Sequence, residues 1–387
     1  MSPLRIAFLC NEYPPGNHGG IGSYTRNLAR ALVQSGHDVR IFGCYKPNQC
    51  RQAVENDHGV KVYRMPEPKG HWGWIGLRWK LYQKAKQWSQ LGEIDLIEIP
   101  DWQGWGAVWP RLSVPVLCRL HGSATYFNAE AGKKTDPKTH WLERASLRRA
   151  DRSASTSRYT DKRTREVFQL PGTADAILHN FVPLNQNCPL SQRDKNTIVF
   201  AGTLTRKKGV ISLIQAWPDV VAEFPNARLH LFGKDGALED GTSMQQHLLE
   251  RLGDSISRTV IFQGHQPLPV LSKSLQTARA AVFPSYAEAF ALAPLEAMAC
   301  GCPTIYTERG SGHELMENGV HGLLIDPDNT KQISEAIKQL LRDDELAGRL
   351  GNAGWKKIEE RFCPKEIVPQ NEQFFRKCIE QFKRNHA

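Results

Sequence analysis

The segment AVFPSYAEAFALAPLEAMACGCP, residues 281–303, decides how the second half of the chain is read. An apolar run over residues 280–284 reads as a buried strand. A loop carrying Glu288 follows. Residues 294–299 then read as a helix that opens with Pro294, where a missing N–H is tolerated. Glu296 lies in the first turn of that helix, eight positions after Glu288. The amides of residues 289–292 stand where a strand-to-helix turn leaves donors for an anion. Two carboxylates flanking such donors suit a ligand with hydroxyls on both sides of a diphosphate: a sugar on one side, a ribose on the other. Each carboxylate alone has a plainer reading. Glu296 satisfies backbone donors at a helix start, and Glu288 faces solvent from a loop.

Outward from this segment the same rhythm repeats. Strands read at residues 196–201, 228–232, 259–263 and 304–306, with helices at 210–224, 243–252, 267–277 and 313–317 between or beside them. The first half has its own series, with strands at 4–10, 38–43, 60–63, 94–99 and 114–120 and helices at 20–35, 77–90 and 139–149. Alternating strand and helix implies a parallel sheet covered on both faces. The 387 residues therefore divide into two Rossmann-like doubly wound α/β domains, over 1–183 and 196–363. Residues 184–195, LNQNCPLSQRDK, are polar and without period, and read as the linker. Residues 364–387 read as a final amphipathic helix with Phe374, Phe375, Ile379 and Phe382 on one side. It is expected to pack back on the first domain. Two such domains in tandem face each other across a ligand cleft at the carboxyl ends of their strands.

Three further constellations lie at strand ends. Residues 14–23, PPGNHGGIGS, join the first strand to the first helix, and Gly20 and Gly22 let backbone approach a ligand at a helix start. This is not the G-x-G-x-x-G fingerprint. No acidic residue ends the second strand, so a nicotinamide dinucleotide is disfavoured. Residues 202–209, GTLTRKKG, follow the first strand of the second domain, and Arg206, Lys207 and Lys208 can neutralise a diphosphate or form a solvated basic turn. His121, in RLHGS, sits at the end of an apolar strand, where a doubly wound domain presents ligand groups.

The composition, 40% hydrophobic and 23% charged, is that of a globular protein, and no apolar run reaches the roughly 20 residues of a membrane span. The N-terminal apolar stretch reads as a strand and not a signal peptide. Nine cysteines without a C-x-x-C pair fit reduced thiols in a cytoplasmic protein, and no metal site is expected. The net charge is +10, and residues 133–166 hold eleven Lys/Arg against five Asp/Glu. Such a segment suits an anionic surface or a solvated helix face; no nucleic-acid fold signature accompanies it. Trp72, Trp74, Trp79 and Tyr82 mix with cations, and Trp102, Trp105 and Trp109 follow. That mixture serves either a hydrophobic core or an interfacial helix.

Together these segments resemble the retaining glycosyltransferase family 4, which has the GT-B architecture. The resemblance covers nearly the whole chain. Its most specific part is the E-x7-E stretch from Glu288 to Glu296 followed by AMACGCP; the GGIG loop, His121, Asn180, Lys208-Gly209 and Gly312-His313-Glu314 fall in the family order. The resemblance implies transfer of a sugar from a UDP- or GDP-sugar to an acceptor hydroxyl, without a metal, in polysaccharide or glycoconjugate synthesis. It implies that Gly20 and Gly22 approach the diphosphate and that Lys208 contacts it. Glu288 with the backbone of Phe290, Ala291 and Leu292 would hold the sugar, Glu296 the ribose, and His121 would lie near the reacting carbon. The base would lie by residues 264–266, which include His265. Catalytic roles fall to His121, Lys208 and Glu288. The sequence departs from the family at Thr203, where the family has arginine and Arg206 is the nearest substitute, and at Ala289 and Ala291, where it has glycines. These leave the donor open. An epimerase, a phosphorylase or a non-catalytic sugar-nucleotide-binding protein would use the same architecture. The acceptor is expected to be a carbohydrate or lipid-linked, with peripheral contact to the cytoplasmic face of an anionic membrane.

Overall fold

The run Arg5–Leu9 is apolar beyond its first residue because both faces of this strand are covered. It forms β1 at the middle of a sheet whose other strands are Asp38–Tyr45 (β2), Glu55–Asp57 (β3), Val60–Pro66 (β4), Leu96–Pro100 (β5), Val116–Leu120 (β6), Arg152–Ser155 (β7) and Ala176–Ile177 (β8). Their order is β3-β4-β2-β1-β5-β6-β7-β8, parallel throughout except that β3 runs against β4. The order reverses between β1 and β5, the position where open sheets of this kind bind ligands at their carboxyl ends. The computed structural model describes all residues except 1, 17, 51, 53, 68–72, 185–192 and 387.

This sheet belongs to one unit, made of Met1–Asn180 and Pro364–Ala387; Phe181–Cys363 form the other. The Pro364–His386 helix lies in the first unit, with Phe375 buried and its ring 6.3 Å from that of Phe8 on β1. Val182 already packs in the core of the second unit, and its N–H donates to Phe362 O. Of the linker 184–195, residues 185–192 lie outside the described residues. Leu184 packs against the second unit's core, and the Arg193 guanidinium donates to the carbonyls of Leu275, Ala278 and Cys300.

The second sheet comprises Thr197–Ala201 (β9), Arg228–Phe232 (β10), Val260–Gly264 (β11), Ala280–Phe283 (β12), Thr304–Thr307 (β13) and Leu323–Ile325 (β14). All are parallel, in the order β11-β10-β9-β12-β13-β14, with the reversal between β9 and β12. The helix after β12 begins at Leu292, two residues earlier than the proline suggests, because a proline inside the first turn removes no helical hydrogen bond. Glu296 therefore stands in its second turn. The helices Thr330–Arg342 and Asp344–Arg361 carry N-cap side chains, Asn329 and Asp343, that accept from backbone N–H groups. Among the described residues no helix is long and apolar enough to cross a membrane.

Gly209 shows how tightly the two central loops of the second sheet meet. Its φ is +72°, and a Cβ there would lie 1.7 Å from Pro284 O. Gly132 has a similar φ of +66° with nothing within 4 Å of that position. Gly132→Ala is expected to cost about 1–2 kcal/mol from backbone strain alone. Gly209→Ala is expected to cost clearly more, read as a larger drop in melting temperature. Equal losses would show that the contact with Pro284 does not constrain the fold.

Candidate functional site

In the second unit the site forms where β9 and β12 lie side by side. The loop leaving β9 tightens into a 3-10 turn, Arg206–Lys208, and the loop leaving β12 carries Tyr286 and Glu288. Lys208 Nζ lies 2.6 Å from Glu288 Oε1. Burial alone would raise the Glu288 carboxyl, but Lys208, Lys207 and the Ser285 side chain hold it below the usual carboxylate range. Tyr286 ties the loops together: its N–H donates to Lys207 O at 2.8 Å, and its hydroxyl is 2.9 Å from Ser212 Oγ. The Arg309 guanidinium, paired with Asp326 and Asp328, sits over the Tyr286 ring at 5.3 Å.

Other expected residues surround this pair. Thr203 and Arg206 are exposed on the β9 loop. Phe290 is buried in the core with its ring 5.5 Å from Phe362, so its side chain holds the loop and only its backbone can serve a ligand. Ala291 precedes the helix as its N-cap residue, and its methyl side chain cannot cap the helix start. Ala291 has φ −71°, and no positive φ occurs at Ala289 or Ala291, so alanine fits both positions without strain. Glu296 is partly exposed one turn on. His265 is exposed just after β11, the edge strand, which β10 separates from β9, the strand that leads to Lys208. His313, also in the family order, is exposed on the short helix after β13.

In the first unit the strand ends hold a second set. Gly20 is exposed, with nothing within 4 Å of where a Cβ would stand. Gly22 differs: a Cβ there would lie 2.2 Å from Glu12 O, and its N–H donates to Glu12 Oε1 at 2.7 Å. The smallness of Gly22 thus packs the turn after β1, and the Glu12 carboxylate occupies an amide of the first helical turn. His121 follows β6 and is half-buried, its ring edge-on to Tyr24 at 4.5 Å. Burial and the Arg119 guanidinium push its pKa down to about 3, so the imidazole is neutral.

Sequence reading missed Asp101 and Glu143. Asp101 is fully buried after β5, and its two oxygens accept from the N–H groups of His121 and Gly122, at 3.0 and 3.2 Å. Burial pushes its pKa up to about 7. Glu143, within the basic segment, is fully buried and accepts from the backbone of Gln103, Ala124 and Thr125 and from the Thr125 hydroxyl. The signal was present: an Asp immediately beyond an apolar strand, and a lone Glu on a helix otherwise rich in cations. Much of the basic segment is also engaged internally. Arg163 pairs with Glu130, Arg165 with Asp161, and Arg144 and Arg149 donate to backbone carbonyls. Of the aromatics, Trp105 and Trp109 are core residues, whereas Trp79 is 51% exposed. The described cysteines are all free, and only Cys50 among them is not buried; Cys188 lies outside the described residues.

Two doubly wound units in one chain are the GT-B architecture. Solved structures share it over almost the full length. Sucrose-phosphate synthase from Thermosynechococcus elongatus is 23% identical with a TM-score of 0.82, covering 97% of this chain and 99% of that one. The Anabaena protein HepE, solved in complex with UDP and glucose, is 21% identical with a TM-score of 0.72, covering 97% of this chain and 100% of that one. The models of "Glycosyltransferase Family 4" and "Glycosyl transferases group 1" match residues 18–186 and 185–357. The chain belongs to this glycosyltransferase family. A Methanocaldococcus jannaschii glycosyltransferase is 26% identical over 98% of this chain and 100% of its own, and a Mycobacterium tuberculosis glycogen synthase is 25% identical over 96% and 94%.

Asp101 and His121 titrate in opposite senses. Folding raises Asp101 from 3.8 to about 7, so in that window the native chain keeps a proton that the unfolded chain has released. Its contribution to stability therefore falls as pH rises. Folding lowers His121 from 6.5 to about 3, so there the unfolded chain holds the proton and stability grows with pH. The two contributions oppose each other where the windows overlap. Urea midpoints across that overlap are expected to separate them. Relative to wild type, His121→Gln becomes less stable as pH rises, and Asp101→Asn becomes more stable. Flat differences for both variants would reject the assignment.

Proposed function

We propose that the protein transfers a hexose from a nucleoside-diphosphate sugar to an acceptor hydroxyl with retention of configuration, in polysaccharide or glycoconjugate synthesis. The observation that carries this reading is the Lys208–Glu288 pair at the sheet reversal of the second unit, beside the start of the Leu292–Ala299 helix. A diphosphate needs positive charge and backbone donors together, and the Arg206–Lys208 turn and the start of the Leu292–Ala299 helix supply them. As the bond to the anomeric carbon breaks, charge grows on the departing phosphate, and Lys208 and Arg206 stabilise it. That phosphate oxygen then takes the acceptor's proton. Glu288, kept ionised by Lys208, accepts from hydroxyls of the sugar and does not act as nucleophile. Glu296 accepts from the ribose, and the backbone from Phe290 to Leu292 holds the sugar. Thr203 lines the β9 loop, and the backbone by His265 takes the base. From the first unit, Gly20 offers open backbone and His121 a neutral imidazole that can donate or accept without adding charge. The transfer needs no metal in this reading, because the cationic turn provides the charge. HepE, with the same fold, has been solved with UDP-glucose, which supports a nucleotide-sugar donor here.

The test is a thermal-shift screen with UDP, GDP, ADP, TDP and CDP, without added metal. One nucleotide at about 100 times its Kd should raise the melting temperature by roughly 5–10 °C. Lys208→Ala and Glu296→Ala should abolish the shift. Lys208→Ala also strands a buried carboxylate at a cost of about 3–5 kcal/mol. Lys208→Met combined with Glu288→Gln should recover that stability and still fail to bind. No shift with any nucleotide would reject the donor site. Phosphate-dependent cleavage, or donor turnover without acceptor, would favour a phosphorylase or an epimerase.

The acceptor side reads as a lipid-linked sugar presented on an anionic membrane at its cytoplasmic face. Lys138 Nζ lies 3.8 Å from the Trp74 ring centroid, which joins the starts of the Gly73–Gln90 and Pro137–Arg149 helices. Ile75 and Trp79 on one helix and Trp141 on the other are exposed, with Lys133, Lys134 and Lys138 exposed nearby in sequence. Exposed indoles beside lysines suit a headgroup interface. Sedimentation with phosphatidylglycerol vesicles at low salt should carry down the wild type and leave Trp79→Ser/Trp141→Ser in solution. Failure of the wild type to sediment would reject the membrane contact.

A further inference from the structure

The last helix places one polar side chain inside the first unit. Asn371 is 1% exposed. Its Nδ2 donates to Ile367 O within the same helix, at 2.9 Å, and its Oδ1 accepts from Arg119 Nη2 at 2.7 Å. Arg119 is fully buried on β6 and donates through Nε and Nη2 to the two oxygens of Glu98 on β5, at 3.2 and 2.8 Å. Glu98 Oε1 also accepts from the Tyr24 hydroxyl at 3.1 Å. The Tyr24 ring lies 5.5 Å from the guanidinium carbon and 4.5 Å, edge-on, from the His121 ring. An unbroken chain of contacts thus runs from residue 371 to residue 121 within one unit.

Each link has a physical role. The two-point contact with Glu98 aligns the Arg119 guanidinium with that carboxylate but lets the pair tilt together. A third acceptor, Asn371 Oδ1 on another element, tethers the pair against that tilt. With the tilt prevented, the distance from the guanidinium charge to Tyr24 and to His121 is fixed as well. Tyr24 is the wall against which the His121 ring rests, and Arg119 is one of the two causes that keep this imidazole neutral. Removing the Asn371 oxygen leaves a buried guanidinium N–H without its acceptor, a loss the interior tolerates poorly. The relief is a rotation of Arg119 that Glu98 and Tyr24 must follow.

We propose that Asn371 is a positioning residue for His121, holding Arg119 so that Glu98 and Tyr24 set the orientation of the imidazole. The proposal rests on the reading of His121 as a residue of the sugar-transfer site, and its test has one arm independent of that reading. Imidazole nitrogen and carbon resonances are recorded on the full chain at pH 7, with His121 assigned by their loss in His121→Gln. Asn371→Leu should shift and broaden the His121 resonances. Asn371→Ser, milder in volume, should shift them in the same direction. Asn371→Asp, which keeps an oxygen acceptor, should return them toward their wild-type positions. Glu372→Gln is the control: Glu372, the neighbour of Asn371 on the helix, pairs with His37 at 3.2 Å, and the substitution should move His37 alone. In the second arm, once a donor is known, Asn371→Leu should lower kcat by about ten- to a hundredfold with donor KM within about twofold. His121 resonances unchanged in both Asn371→Leu and Asn371→Ser would overturn the proposal, even if the melting temperature falls. A protein that moves no sugar at all would refute the transfer reading while the resonances still decide the positioning.

Discussion

A carboxylate taken out of water keeps its charge only beside a counter-charge, and at Glu288 that counter-charge is Lys208. Much of the second unit's central geometry follows from making this contact. The β9 loop must press against the β12 loop, which requires a residue without a side chain at Gly209. The loops must stay in register, which Tyr286 secures through the backbone of Lys207 and the hydroxyl of Ser212. Phe290 anchors the chain just beyond Glu288, so the next helix starts at a fixed place. The strand order makes all of this local, because β9 and β12 are neighbours although about eighty residues separate Lys208 from Glu288.

The first unit meets the same electrostatic problem in two ways. Glu98 is neutralised by Arg119 and accepts a further hydrogen bond from Tyr24, while Arg119 also donates to Asn371. Asp101 has backbone donors but no cation, so burial pushes its pKa toward neutrality. His121 lies between these regimes, attached to Asp101 through its backbone and to Arg119 through its surroundings. A ring that stays neutral over most of the pH range is the outcome.

Legibility in the sequence followed the size of the apolar signal. Strands such as Arg228–Phe232, and the helix that begins at Gly20, stand out because long apolar runs and helical periodicity are local properties. The strands β7, with the sequence RSAS, and β8, two residues long, carry almost no such signal and were passed over. The helices Ala124–Glu130 and Arg158–Phe168 were missed for another reason: their start signals are the hydroxyls of Ser123 and Ser157, easily read as loop residues. Residues of the candidate site were visible where a motif carries them, as at Glu288 and Lys208. Asp101 and Glu143 left only a faint local signal and Asn371 none, because their roles come from partners far along the chain. The packing role of Gly22 belongs in the same group, since only the position of Glu12 reveals it.

The first unit is interrupted: its chain leaves at Asn180, makes the whole of the second unit, and returns at Pro364. During synthesis from the N-terminus, the second unit therefore has all its residues while the first still lacks a helix of 23 residues. Until then Phe8 has no Phe375 against it, and Arg119 waits without its amide acceptor. The earlier-made part of the protein is thus the later to be completed, and a nascent chain released before residue 364 would carry a finished second unit beside a first unit with its interior open.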